Sequence, residues 1–132
     1  MKKIILLFFA LFLTNKTFSQ EIAGNWNWAY SDKHKSEIKL VKINSTEYKG
    51  TYCSSFDEGK KIDCYFEDNE YSIFITKTTT NVFKGTFKSN FSSKSGTLKI
   101  EYIPSNEKFK ISILTEPDGE YYLPNNVYFE KN

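Results

Sequence analysis

The feature that most constrains this chain is an alternation of apolar and polar residues over short runs. Leu98, Ile100 and Tyr102 share one face in this way, as do Phe109, Ile111 and Ile113. No stretch sustains the apolar spacing of an amphipathic helix. The pattern therefore predicts an all-β chain of eight or nine strands, at about residues 26–31, 37–43, 47–54, 61–67, 71–78, 82–89, 96–103, 108–114 and 121–130.

Short turns separate these runs and decide how the strands connect. Turn-forming residues recur roughly every 8–12 residues, for example at 57–59, 94–96 and 117–119. Such connections are too short for parallel crossovers, which need a dozen or more residues. We therefore expect an antiparallel up-and-down meander that closes as a small barrel, with a β-sandwich as the alternative.

A weak internal repeat places a glycine in the middle of two strands. The sequence YKGTY at 48–52 returns as FKGTF at 83–87, so that Gly50 and Gly85 each lie between two aromatic residues on one face. A glycine inside a strand costs stability unless it allows a bend or a close approach. We expect both glycines to lie at such points of one curved sheet.

The first residues have the pattern of an export signal. Lys2 and Lys3 precede an apolar run at 4–13, and the small residues Thr17 and Ser19 follow, separated by one residue. This predicts a signal peptide at 1–19 and a single domain at 20–132, exported to the periplasm or secreted. The apolar run is too short for a membrane span.

Removal of that signal also changes the charge of the protein. The whole chain has a formal net charge of +2. Three of its lysines lie within 1–19, so the remaining domain is close to neutral, at about −1. The chain has no arginine, the residue that most often recognises phosphate as a fork. Nucleic acid is therefore not expected as a partner.

Two cysteines, Cys53 and Cys64, lie on either side of the turn at 57–59. Their spacing is not that of a thioredoxin-like redox pair. An exported chain with two cysteines is expected to join them, and opposed positions of a hairpin satisfy disulfide geometry. The sequence predicts a Cys53–Cys64 disulfide across this hairpin.

Catalytic chemistry is poorly supported by the residues. The single histidine, His34, lies between two lysines in a charged turn and is expected to be solvated. The acids Asp57, Glu58 and Asp63 match no calcium loop and are expected to be solvated turn residues. The chain is therefore expected not to be an enzyme, and no metal or cofactor is expected.

The short motif Gly24-Asn25-Trp26 stands directly before the first strand. With the meander and the domain size, it resembles the calycin barrels, which include lipocalins, avidins and small periplasmic protease inhibitors. The resemblance implies that Gly24 and Trp26 plug one end of an eight-stranded barrel. Lipocalins pair this tryptophan with an arginine, which this chain lacks; Lys131 is the available substitute. The protease inhibitors insert an N-terminal arm, for which only about four residues precede Gly24 here.

The first functional hypothesis is a monomeric, non-catalytic protein that binds a protein partner, as inhibitors and immunity-type proteins do. Its candidate contact residues lie in the disulfide-bonded hairpin 53–64 and combine an apolar residue with charges. They are Phe56, Asp57, Glu58, Lys60 and Lys61. In the competing interpretation, Phe56 folds back over the end of the barrel.

The second hypothesis is a calycin-type carrier of a small apolar ligand inside the barrel. Eight-stranded barrels hold either packed side chains or one small ligand. The candidate lumen residues are Trp28, Tyr52, Phe87 and Tyr102. The aromatic residues of 121–124 are expected in an edge or closing strand.

Overall fold

The described residues form nine antiparallel strands and two short 3-10 turns, at Asp57–Gly59 and Pro104–Asn106. The computed structural model describes residues 21–65, 67 and 69–132. The predicted signal peptide at 1–19 and the first domain residue, Gln20, lie outside the described residues. The strands are β1 (Gly24–Ser31), β2 (His34–Lys42), β3 (Glu47–Phe56), β4 (Lys61–Cys64), β5 (Ile73–Thr79), β6 (Val82–Lys88), β7 (Ser95–Ile103), β8 (Lys108–Thr115) and β9 (Val127–Lys131).

Eight of these strands close a barrel in the order β1, β2, β3, β5, β6, β7, β8 and β9, and β9 returns to β1. The ninth strand, β4, is an addition to the wall. The first part of β3, residues 47–50, pairs with β5, and the last part, residues 53–56, pairs with β4. The predicted antiparallel meander that closes as a barrel is therefore confirmed. Among the described residues, no helix has the length and apolar character needed to cross a bilayer.

The barrel has two different ends. The lower end carries the turns β2–β3, β5–β6 and β7–β8, together with the chain before β1 and after β9. The upper end carries the connections β1–β2, β3–β4, β6–β7 and β8–β9, whereas the β4–β5 connection runs beside the middle of β3, from Cys64 opposite Cys53 to Ile73 opposite Gly50. The upper connections are on the whole longer, and they position the site described below.

Two strand predictions differ from the structure. The strand predicted at 121–130 begins only at Val127, because residues 116–126 form a long loop that folds over the upper end. Leu123 and Pro124 are buried there, so the apolar residues of this segment cover the core instead of extending the sheet. The strand predicted at 61–67 ends at Cys64; its residue 66 lies outside the described part of the chain.

The repeated glycines lie where neighbouring main chains come too close for a side chain. A Cβ atom on Gly50 would lie 2.2 Å from the carbonyl oxygen of Lys39, and one on Gly85 only 1.8 Å from that of Phe74. Contacts this short do not occur between real atoms. The two copies of the repeat are therefore two points of close approach in the curved wall, as the sequence predicts.

The interior of the barrel is filled by side chains. All eight wall strands contribute inward-facing residues to one contiguous cluster, closed by Ile22 below and Leu123 above. The wall residues of this cluster are Trp26, Ile38, Leu40, Tyr48, Tyr52, Ile73, Ile75, Phe83, Phe87, Leu98, Ile100, Tyr102, Phe109, Ile111 and Phe129. Their close packing is the main stabilising contribution to the fold.

The lower end is closed by Trp26. Its ring is fully buried, 4.6 Å from the ring of Phe109, and its Nε1 donates a hydrogen bond of 2.8 Å to the carbonyl oxygen of Ile22. The Nζ of Lys131 lies 5.5 Å from the centre of the Trp26 ring. A lysine thus makes the cation–π contact to this tryptophan.

The predicted disulfide is present. Cys53 of β3 and Cys64 of β4 are directly opposed in the hairpin and are joined covalently. The bond ties the additional strand β4 to the wall.

Removing this disulfide by Cys53→Ser and Cys64→Ser together is expected to lower the free energy of unfolding by about 2–3 kcal/mol, because the bond closes a loop of about a dozen residues. Urea unfolding of the two proteins measures the difference. The wall strands should keep their far-ultraviolet circular dichroism, since the main core does not include the bond. Loss of the whole fold in the double variant would contradict this view.

Candidate functional site

The inward face of the wall continues above the core at the upper end. On β1, Trp26 is buried, Trp28 is half-buried, and Tyr30 stands above the barrel with 82 % of its surface exposed. On β3, the same face runs from Tyr52 in the core to Phe56 at the end of the strand. The inward-facing residues at the ends of these strands lie above the packed core and therefore form part of the surface at the upper end.

Six aromatic side chains meet at this end, and we call them the aromatic rim. His34 lies at its centre, with ring centres 4.0 Å from Phe56, 5.4 Å from Trp28 and 5.8 Å from Tyr30. The contacts continue to the two long loops of the upper end. The members of the rim are Trp28, Tyr30, His34, Phe56, Phe91 and Tyr122.

The far side of the rim comes from the β6–β7 and β8–β9 loops. The ring of Tyr122 lies 5.8 Å from that of Phe56 and 5.1 Å from that of Phe91, in an edge-to-face arrangement with Phe91. Phe91 has 52 % of its surface exposed. The rim thus joins residues from distant parts of the chain into one continuous apolar surface with exposed members at both ends.

Charged side chains border the rim on the side of the disulfide-bonded hairpin. Asp57, Glu58 and Lys60 are exposed in its turn, and the carboxylate of Glu58 lies 4.0 Å from the Nζ of Lys33 in the neighbouring turn. Lys61 begins β4 and places its Nζ 5.5 Å from the centre of the Tyr122 ring. An ion pair this exposed contributes little to stability, so these charges remain available to solvent or to a partner.

A layer of buried polar groups lies directly beneath the rim. Ser36, Ser54 and Asp63 follow one another across β2, β3 and β4 as directly opposed residues, and Ser36 is opposed on β1 by Trp28 of the rim. The hydroxyl groups of Ser36 and Ser54 are 2.6 Å apart and fully buried. This polar row separates the apolar core from the rim.

Asp63 is the centre of that layer and is 0 % exposed. Its Oδ2 accepts a hydrogen bond of 2.6 Å from the hydroxyl group of Tyr52 and one of 2.9 Å from that of Ser89. Burial, and next the hydrogen bond to Asp63, raise the pKa of Tyr52 far above its ordinary value. Tyr52 therefore remains a proton donor to the carboxylate.

Main-chain amides complete the hydrogen bonding of Asp63. The amides of Asn90 and Phe91 donate to its Oδ1 over 2.8 Å and 3.2 Å, and the amide of Tyr122 donates to its Oδ2 over 3.1 Å. Phe91 and Tyr122 are both members of the rim. One buried carboxylate thus holds the main chain at the two residues that the long loops contribute to this surface.

Two tyrosines of the β8–β9 loop are further held by acids of the same loop. Burial and a hydrogen bond of 2.9 Å to Glu116 raise the pKa of Tyr121 to about 12. The hydrogen bond that Tyr122 donates to Glu120 raises its pKa as well. Both side chains are therefore neutral at physiological pH.

The residues predicted for partner binding are distributed over this end. Phe56 does not project from the hairpin turn; it folds back over the barrel and packs against His34, Trp28 and Tyr122. Asp57, Glu58, Lys60 and Lys61 form the charged border described above. The structure therefore places the predicted apolar anchor inside a larger surface.

The residues predicted to line a lumen divide into two groups. Tyr52, Phe87 and Tyr102 are buried in the packed core, with the rings of Tyr52 and Phe87 6.3 Å apart. Trp28 lies in the rim, beside Phe56. Trp28 of the lumen set therefore meets Phe56 of the partner-binding set at the upper end, while the other three lumen candidates belong to the core.

Sequence reasoning treated two important residues as solvated. His34 is half-buried among three aromatic rings, and Asp63 is fully buried. Phe91, Tyr30 and Tyr122 were not singled out as members of a surface either. One signal existed for Asp63: if Cys53 opposes Cys64, then Asp63 opposes Ser54, which lies on the inward face of β3.

Among the described residues, no group of three or more histidine, cysteine or acidic side chains is arranged to hold a metal ion. Comparisons with protein-family models, with curated protein sequences and with solved structures give no match to this chain.

Proposed function

We propose that this chain is a small exported, non-catalytic binding protein that engages a protein partner through the aromatic rim. The observation that carries the proposal is the continuous contact of six aromatic side chains at one end of the barrel, with Tyr30 and Phe91 largely exposed. Aromatic residues are the commonest anchors of protein interfaces, and charged borders commonly surround them.

The rigidity of the rim supports the same function. The disulfide holds the hairpin that carries Phe56, and Asp63 holds the loops that carry Phe91 and Tyr122. A surface that is already ordered loses little conformational entropy when it binds. Small inhibitors and immunity-type proteins need this property, since their binding must be tight without any chemistry of their own.

The packing of the barrel favours the rim over the alternative, a carrier of a small apolar ligand. The core cluster includes inward residues from every wall strand, and Tyr52, Phe87 and Tyr102 belong to it. A ligand in the lumen would have to displace these side chains. Native mass spectrometry of protein purified from its source tests the alternative, which requires a bound non-covalent ligand.

Other features of the fold support export of the protein and a relationship to the calycin barrels. The disulfide between Cys53 and Cys64 supports export, since such bonds persist in oxidising compartments. The buried Trp26 at one end of an eight-stranded antiparallel barrel, with Lys131 against its ring, supports kinship with the calycin barrels. The packing of the single histidine against three rings supports a non-catalytic role.

Replacing the two most exposed rim residues, by Tyr30→Ser and Phe91→Ser together, is expected to abolish capture of the partner. Each protein is immobilised, exposed to extract of exported proteins from the source, and the retained proteins are quantified by mass spectrometry. The matched control is Phe74→Ser, which removes an equally exposed aromatic residue from the outer wall. Loss of an interface anchor costs about 2 kcal/mol or more, so retention should fall at least about tenfold.

The proposal requires a protein that the unmodified chain and the wall variant retain and the rim variant does not. Equal retention by all three proteins would reject the rim as the binding surface. Circular dichroism of each variant confirms that the fold is intact, which is expected because all three substitutions are at exposed positions.

A further inference from the structure

β1 and β9 are only partly paired in the barrel wall, and we call the gap beside the unpaired residues 28–31 of β1 the seam. β1 pairs with β2 from Gly24 to Ser31, but its described pairs with β9 are Trp26 with Lys131 and Asn27 with Glu130. The structure describes both strands completely, and no further residues of the two are in register. The two strands are therefore paired up to Asn27 and unpaired above it.

Within the described part of the chain, the main-chain groups of Ala29 have no hydrogen-bonding partner on the side of this seam. The carbonyl oxygen of Asn25 accepts a hydrogen bond of 3.0 Å from the amide of Asn132, so the main-chain groups of Asn25 point toward β9. Because the direction alternates along a strand, those of Asn27 and Ala29 point the same way. Continuing the register would pair Ala29 with Tyr128, yet these two residues form no pair.

A depression of about 430 Å³ lies between residues 27–29 of β1 and Tyr128 and Glu130 of β9. Ala29 is small and exposed, and Tyr128 has 49 % of its surface exposed. A register shift between Ala29 and Ser31 ends the regular part of the edge.

Native sheets protect open edges with charged residues, prolines or covering segments. The upper part of β1, residues 28–31, carries neither a charge nor a proline. An edge without these devices is a template for another strand. Because it lies between two wall strands and not at a projecting margin, a loose extended segment fits it and a second folded barrel does not.

We propose that this seam binds an extended peptide segment of another protein, which adds a strand to β1 at Ala29. The main chain of the peptide pairs with the free amide and carbonyl groups of Ala29, and its side chains lie between Trp28 and Tyr128. This is strand addition, in which the ladder gives affinity and the flanking side chains give selectivity. The site shares Trp28 with the rim, but it goes beyond the proposed function because its main-chain contacts are at Ala29 on the wall and neither Phe91 nor Tyr122 lines the depression.

The test uses a phage-displayed library of random heptapeptides, selected on the chain with its disulfide intact. Selected peptides should slow hydrogen exchange of the Ala29 amide. Ala29→Pro removes that amide without removing a bond to β2, and it should weaken peptide binding at least about tenfold, the value of one or two hydrogen bonds. Phe91→Ser, in the rim, should leave peptide affinity unchanged, so the test is independent of the proposed function.

A second experiment modifies the peptide and leaves the protein unchanged. N-methylation of alternate residues of a selected peptide removes its main-chain donors, and one of the two alternating sets should abolish binding. The proposal fails if no peptide is enriched, or if Ala29→Pro and both N-methylated sets bind like the originals. It also fails if the Ala29 amide becomes protected with rising protein concentration alone, which would identify a second copy as the occupant.

Discussion

Asp63→Ala is expected to lower the free energy of unfolding by at least about 3 kcal/mol. The substitution leaves the buried hydroxyl groups of Tyr52 and Ser89 without their acceptor, together with three main-chain amides. A buried donor that loses its partner costs about 1–3 kcal/mol, and at least two are affected. Chemical unfolding followed by tryptophan fluorescence measures the change.

The part of the barrel that is destabilised when Asp63 is replaced is as informative as the amount of stability that is lost. Asp63→Asn keeps the shape and one acceptor oxygen, so it should fold with a smaller loss of stability. In this variant, hydrogen exchange of the amides of Phe91 and Tyr122 should accelerate more than that of amides at the lower end of the barrel. Asp118→Ala, which removes an exposed acid of the β8–β9 loop, is the matched control and should change neither quantity appreciably.

A different exchange pattern is expected if Asp63 stabilises the barrel as a whole without holding the rim loops. If Asp63 only filled space, exchange would accelerate evenly over the barrel in Asp63→Asn. That outcome would remove the argument that the carboxylate holds the rim loops in place. Equal stability of Asp63→Ala and the unmodified protein would contradict the hydrogen-bond network itself.

Gly85→Ala is expected to have the second large effect. The added Cβ would lie 1.8 Å from the carbonyl oxygen of Phe74 and 2.7 Å from the Cα of Ile75. Both atoms belong to the main chain of β5, so relief requires the two wall strands to separate. We expect a loss of at least about 3 kcal/mol, at or beyond the upper range for an overpacked core.

Gly119→Ala is the matched control for this substitution. A Cβ there would lie 2.9 Å from the Cγ of Lys94, which is able to rotate away, and 3.0 Å from the Cβ of Ser92, where a loop shift of a few tenths of an ångström relieves the contact. Thermal unfolding of both variants should therefore show a large fall in Tm for Gly85→Ala and a small change for Gly119→Ala. Similar values for the two would mean that the wall yields easily at Gly85.

The architecture was predictable because strand alternation is a local signal. Residues at every second position of β7, such as Leu98, Ile100 and Tyr102, are buried in the barrel as the pattern requires. The close approach at Gly50 and Gly85 was predictable for the same reason, since a glycine between two aromatic residues on one face has few other uses. The segment at 121–124 was predicted as strand and is loop, because apolar residues that cover a core resemble those that line it.

The site was less predictable because it depends on distant residues meeting. Asp63 has the local surroundings of a solvated turn acid, and only its donors from three other segments make its burial favourable. Phe91 and Tyr122 are far apart in sequence and become neighbours through that same carboxylate. The opposition of the two cysteines was the one local observation that fixes the direction of the Asp63 side chain.

Site-specific photo-crosslinking tests the central claim most directly, namely that the aromatic rim contacts a protein partner. A benzophenone amino acid is introduced at Phe91 in the rim or at Phe74 on the outer wall, in cells of the source that produce the protein. Irradiation should give a discrete crosslinked product from position 91 that is absent from position 74. No product from position 91, or the same products from both positions, would contradict the assignment of the rim as the binding surface.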